Sequence, residues 1–164
     1  MTEAQACLKS LSLGKLPTMR NLFFLMLITA TLLSCKKEEK QAEADEKTIV
    51  DYMKDNGLTG TRTSSGVYVV IDNPGTGAAC GSTSTVEVAY TGSFTNHEEF
   101  DSSPSATFSL NSVIKGWQEG IPYFREGGSG KLLIPSAAGY GTQGKGSIPG
   151  NTVLIFDVEL TDVL

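Results

Sequence analysis

Histidine occurs once, at His97, and cysteine three times, at Cys7, Cys35 and Cys80. A single imidazole leaves any hydrolase triad resting on one side chain and offers no second histidine for a zinc centre, so neither covalent catalysis nor a metal or other cofactor is expected. Positive charge is also scarce. The 13 Lys and Arg against 18 Asp and Glu give a net charge of -5, which argues against a nucleic-acid partner. What the chain has in excess is glycine, 18 of 164 residues, without long Ser, Pro or repeat tracts. That is the composition of a small β-rich domain with many tight turns. An apolar content of 40% with 19% charged residues is enough for a packed core.

The most apolar stretch, Leu22 to Leu33, has twelve residues without a charge and comes after Arg20. A membrane-crossing helix needs about 20 apolar residues, whereas a basic flank before a run of about 7–15 has the form of a secretory signal. Leu32-Leu33-Ser34-Cys35 resembles the bacterial lipobox. The resemblance implies that residues 1–34 are removed and that Cys35 is lipidated as the mature N-terminus. Cys7 is then lost and Cys80 has no partner for a disulfide. Met19-Arg20 is a natural signal start, so residues 1–18 read as an upstream extension or a long leading region. Lys36 after the cysteine, in place of Asp, resembles outer-membrane lipoproteins, and Lys37-Glu38-Glu39 resembles tethers of surface-displayed ones. The expected location is therefore the outer membrane, facing the periplasm or the cell surface. Residues 35–47 read as a charged, solvated tether. Residues 48–65 read as a short helix and linker, the helix carrying Ile49, Val50, Tyr52 and Met53, stopping at Asn56-Gly57 and packing on the domain C-terminal to it.

From Gly66 onward the pattern is that of strands. Gly66 to Asp72 ends at Asn73-Pro74-Gly75, and Thr85 to Thr91 alternates polar and apolar residues. Lys131 to Ile134 stops at Pro135, Thr152 to Leu160 alternates nearly throughout, and a shorter strand covers Thr107 to Leu110. Ser112 to Gly120 is the helical candidate, with Val113, Ile114 and Trp117 on one side. One short helix and about five strands make an α+β domain over residues 66–164. Gly139-Tyr140-Gly141-Thr142-Gln143-Gly144 fits a phosphate-loop spacing, but the segment after it leads into a strand and not into a helix whose N-terminus could face an anion. His97, beside Glu98, Glu99 and Asp101, reads as an exposed hairpin turn. Cys80 has no basic residue near it to lower its pKa.

The remaining aromatic and aliphatic residues fall into ordered motifs. These are Tyr90-Thr91-Gly92, Phe100-Asp101-Ser102-Ser103, the run from Val113 to Gly120, Ala138-Gly139-Tyr140-Gly141, Ile148-Pro149 and the run from Leu154 to Leu160. In that order and spacing the sequence resembles the FKBP-type peptidyl-prolyl cis-trans isomerases. The resemblance implies an antiparallel five-stranded half-barrel sheet wrapped around one short helix, with an apolar pocket for a proline ring. It further implies that Trp117 is the pocket floor and that Tyr90, Phe100, Phe108, Val113, Ile114, Ile148 and Phe156 are its walls. Asp101 would be its polar edge, while the Tyr140 hydroxyl and the Ile114 N–H would donate to substrate carbonyls. Tyr90, Asp101, Ile114, Tyr140 and Phe156 are the candidate catalytic set, and the partners are proline-containing polypeptides. A non-catalytic peptide-binding or chaperone module on the same fold is the alternative. Two departures from the family pattern stand out: no Arg comes after the Phe-Asp pair, and Lys145 and Ser147 stand where apolar groups often hold substrate. With a span from Lys36 to Ser65 that is short for a dimerisation arm, a monomer is expected.

Overall fold

The computed structural model describes residues 19–164, with side chains from residue 36 onward. The extension at residues 1–18 and the side chains of the apolar run and of Cys35 lie outside the described residues. Among those described, no helix is long and apolar enough to cross a membrane. The chain divides between Glu38 and Glu39, and the unit from Glu39 to Leu164 carries the sheet.

Helix α1 spans Met19–Asp55. The charged run expected as a solvated tether is therefore helical, and from Glu39 onward it belongs to the unit that carries the sheet. Lys, Glu, Gln and Ala are strong helix formers, and no Gly or Pro interrupts them. Asp45, Ile49 and Met53, four residues apart, are buried at 3%, 0% and 8% exposure, which makes one continuous stripe. The helix stops where the sequence indicates. Gly57 takes a φ of +64°, its N–H bonds to Lys54 O, and Leu58 N–H reaches Met53 O at 2.8 Å. This is the paired closure of a left-handed C-terminal cap, with Leu58 and Met53 in one apolar cluster.

The sheet has six strands: β1 (Thr61–Arg62), β2 (Tyr68–Asn73), β3 (Thr85–Ser93), β4 (Glu99–Ser109), β5 (Gly128–Ile134) and β6 (Leu154–Val163). They pair antiparallel in the order β1-β2-β5-β6-β3-β4. The expectation of five strands is corrected by β1, an edge pair too short to show alternation. It is folded onto β2 by a turn at Gly66, whose φ is +84°. Pro104 lies where the β3–β4 register shifts between Val88 and Tyr90. An edge strand at a bulge is where a sheet tolerates proline, and bulges bend strands.

Side chains of alternate parity leave the two faces of the sheet. Leu132, Ile134, Leu154, Phe156, Val158 and Leu160 join the inner cluster, while Val70, Leu133 and Ile155 join Ile49 and Met53 on the outer face. The short helix α2 (Lys115–Gly120) packs on the inner side. A Cβ on Gly116 or Gly120 would stand 2.5 Å from Ile134 or Leu132 side-chain atoms, so glycine at both positions permits the close approach of α2 to β5.

Candidate active site

Between α2, β3, β4, β6 and the loop after β5 lies a cavity of about 270 Å³, lined by Tyr90, Asp101, Phe108, Ser112, Val113, Ile114, Trp117, Tyr140, Lys145 and Phe156. Trp117 is 4% exposed. The rings of Tyr90, Phe108 and Phe156 surround it at centroid distances of 5.3, 5.3 and 5.4 Å and near-perpendicular angles. Such edge-to-face contacts hold each ring in one orientation, so the apolar walls are preformed. Among the described residues the buried indole N–H of Trp117 has no acceptor.

The polar groups sit at the rim. Tyr90 donates its hydroxyl to Asp101 Oδ2 at 2.8 Å. Burial first, then that hydrogen bond and the carboxylate charge, push the Tyr90 pKa up from 10.0 to about 12. Ile114 precedes α2 with extended backbone, and its carbonyl accepts from Trp117 and Gln118 N–H. Among the described residues its own N–H meets no acceptor, and the Tyr140 hydroxyl likewise has no hydrogen-bond partner. Both residues that carry these unpartnered donors line the cavity. The Lys145 ammonium lies 5.3 Å from the centre of the Tyr140 ring, held by a tight turn in which Lys145 and Ile148 exchange backbone hydrogen bonds.

Eight of the ten residues implied by the resemblance line the cavity. Phe100 and Ile148 do not. The Phe100 ring meets Phe156 edge-on at 5.5 Å and lies 5.0 Å from Phe94, and Ile148 packs in the core at 9% exposure. Ser112 and Lys145 also line the cavity; of the two only Lys145 stands out in the sequence, as a charge where the family often has an apolar group against substrate. His97 lies in an exposed turn with a φ of +68°, near the Tyr52 ring. Cys80 is a free, half-buried thiol whose pKa is raised, chiefly by burial.

The fold and cavity together are a half-barrel sheet around a short helix, with an aromatic-walled cavity on the inner side. Residues 77–161 match the family model of the FKBP-type peptidyl-prolyl cis-trans isomerases, and the chain belongs to that family. An Aeromonas hydrophila isomerase named FkpA is 42% identical over 134 residues, which are 78% of this chain and 50% of that protein. The Escherichia coli K12 protein of the same name is 40% identical over 135 residues, 77% of this chain and 49% of its own length. The chain thus spans about half the length of the curated relatives it matches. The crystal structure of Escherichia coli FkpA superposes with a TM-score of 0.67 at 34% identity, covering 92% of this chain and 74% of that one. That of a Pseudomonas syringae peptidyl-prolyl isomerase gives 0.67 at 31%, covering 76% and 94%.

Proposed function

We propose that this protein catalyses cis/trans exchange at X-Pro bonds of exported polypeptides. The observation that carries the proposal is the preformed aromatic cavity over Trp117 with two unpaired donors, Ile114 N–H and Tyr140 O–H, at its rim. Rotation about X-Pro requires amide resonance to be broken, and uncatalysed exchange takes tens to hundreds of seconds. The twisted amide has lost the charge separation of the planar one, so apolar walls favour it over the ground state. The two donors hold flanking carbonyls while the bond turns. No nucleophile and no proton transfer is involved. The direct test is the refolding of a protein limited by proline isomerisation, measured with and without this chain. Acceleration at catalytic concentration is expected, whereas binding of unfolded chains without acceleration would establish the non-catalytic module instead.

This chemistry has two measurable consequences. Tyr140→Phe removes one hydrogen bond, worth about 0.5–1.5 kcal/mol, so kcat/KM should fall by roughly 2- to 10-fold with an unchanged melting temperature. The protein's one tryptophan is the pocket floor, so quenching of its fluorescence by a proline peptide reads binding separately. The second consequence concerns pH. The Tyr90 pKa is raised in the fold, so the stability contributed by its protonated hydroxyl is complete below pH 10 and is lost as pH rises through about 12. With no proton in flight, kcat/KM should be flat from about pH 6 to 9. A bell-shaped profile in that range would mean that a general acid or base takes part.

We further propose that Cys35 carries a lipid that holds the domain at the outer membrane as a monomer. Support comes from the lipobox-like Leu32-Leu33-Ser34-Cys35. The monomer reading is supported by the large exposed apolar residues among those described, Val50, Ile71, Tyr123 and Leu164, which belong to different segments of the chain. Several acyl chains on one cysteine anchor far more firmly than one. Cys35→Ser should leave uncleaved precursor or release the protein from the membrane fraction, with isomerase turnover unchanged. A mature N-terminus elsewhere, or intact mass without acyl groups, would remove the anchor. Sedimentation should give the mass of one chain.

A further inference from the structure

The part of α1 that was expected to be solvent-exposed contains a buried acid. Asp45 is 3% exposed, as is Ser136, and the two are 91 positions apart in sequence. Asp45 Oδ2 accepts the Ser136 backbone N–H at 2.8 Å and the Ser136 hydroxyl at 2.6 Å, and Oδ1 accepts from Gln41 Nε2 at 2.7 Å. Among the described residues Asp45 has no ion-pair partner. A buried carboxyl group is costly to desolvate, and what it offers in return is a set of short, directional hydrogen bonds.

Those bonds end at the root of the pocket loop. Ser136 opens the single turn Ser136–Ala138. Its carbonyl accepts from Gly139 N–H at 3.0 Å and Gly141 N–H at 2.8 Å, and the Tyr140 carbonyl accepts from Gly144 N–H at 3.1 Å. Tyr140 thus lies between two residues bonded to Ser136, and Ser136 is itself fixed by Asp45. Ile49 and Met53, one and two turns further along the same stripe, seat the helix on Val70, Leu133 and Ile155.

We propose that Asp45 is a positioning residue for the candidate active site: through Ser136 it fixes the loop that carries Tyr140, and it couples the N-terminal helix to the peptide pocket. The proposal rests on the prolyl-isomerase reading for its kinetic consequence, but the coupling itself does not. Linkage makes the coupling reciprocal: loosening α1 around Asp45 weakens peptide binding, and a bound peptide protects the amides of residues 41–49.

The test uses the full-length chain with Asp45→Ala, Asp45→Asn and Ser136→Ala, a proline tetrapeptide as substrate and ligand, and amide hydrogen exchange. Asp45→Ala should raise KM roughly 3- to 10-fold with kcat within about twofold, because the pocket is less often in its binding geometry. Exchange at Gly139, Gly141 and Gly144 should quicken about tenfold or more, while Leu132 and Ile155 change by less than about twofold. Asp45→Asn keeps an oxygen acceptor for both Ser136 donors and should restore KM and loop protection to within about threefold of the parent. Ser136→Ala loses one donor and should show a smaller shift in the same direction, which keeps the test open if Asp45→Ala does not fold. Unchanged KM and loop exchange in Asp45→Ala, or faster exchange spread evenly through the sheet, would overturn the proposal, the second by making Asp45 merely structural. If the parent chain shows no turnover, the isomerase reading fails. Loop exchange and peptide binding read from Trp117 fluorescence still decide the coupling.

Discussion

Trp117→Ala is expected to destabilise the domain by about 3–5 kcal/mol, the usual cost of emptying a buried aromatic site. The indole is 4% exposed and touches three other rings at near-right angles, so its loss leaves Tyr90, Phe108 and Phe156 without the surface that orients them. Denaturant unfolding monitored by far-ultraviolet circular dichroism is the appropriate probe, because the variant has no tryptophan left to report. Trp117→Leu separates the two consequences. It retains much of the apolar volume, so the fold should survive at a smaller cost, yet it supplies no flat floor for a proline ring. It should therefore lose most of the turnover while remaining folded. Parent-like kcat/KM in a folded Trp117→Leu variant would place the reactive pocket elsewhere.

Ile49→Ala should cost about 2–5 kcal/mol, as much as a residue in the centre of a sheet. Ile49 has no exposed surface and sits with Met53, Val70, Leu133 and Ile155, so truncation opens a cavity between α1 and the outer face of the sheet. Val50, its neighbour, is 46% exposed, and Val50→Ala should change stability by no more than about 0.5 kcal/mol. The contrast between two adjacent aliphatic residues is what distinguishes a helix docked through one stripe from a helix lying loosely alongside. Equal and small effects at both would show that α1 contributes little to the domain.

The contrast also shows where sequence reasoning reached and where it stopped. The strands from Thr85 and Thr152 were legible because alternation is the direct signature of a sheet with two unlike faces. The stop at Asn56-Gly57 was legible because a left-handed cap calls for glycine. The outer-face apolar residues Val70, Leu133 and Ile155 interrupt that alternation where α1 covers them, and read correctly they announce a covering helix. The continuation of α1 through the charged run before Thr48 was hidden because Asp45 looks like any other charge in that run. Only its fourfold spacing from Ile49 and Met53 sets it apart. β1 is two residues long, and no periodicity exists over two residues. In the site, ordered motifs brought eight side chains to one cavity, but a motif does not reveal which of its members stand in front. Phe100 lies against Phe156 where Gly92 admits its ring, and Ile148 closes the turn with Lys145 and packs with the core.

Exchange spectroscopy of a short X-Pro peptide, with the full chain present at a small fraction of the peptide concentration, measures the proposed chemistry without a coupled assay. The cis and trans proline resonances should interconvert far faster than the uncatalysed tens to hundreds of seconds, and the acceleration should disappear in folded Trp117→Leu. Exchange that stays at the uncatalysed rate while the peptide still quenches Trp117 fluorescence would contradict catalysis and leave a binding module on the same fold.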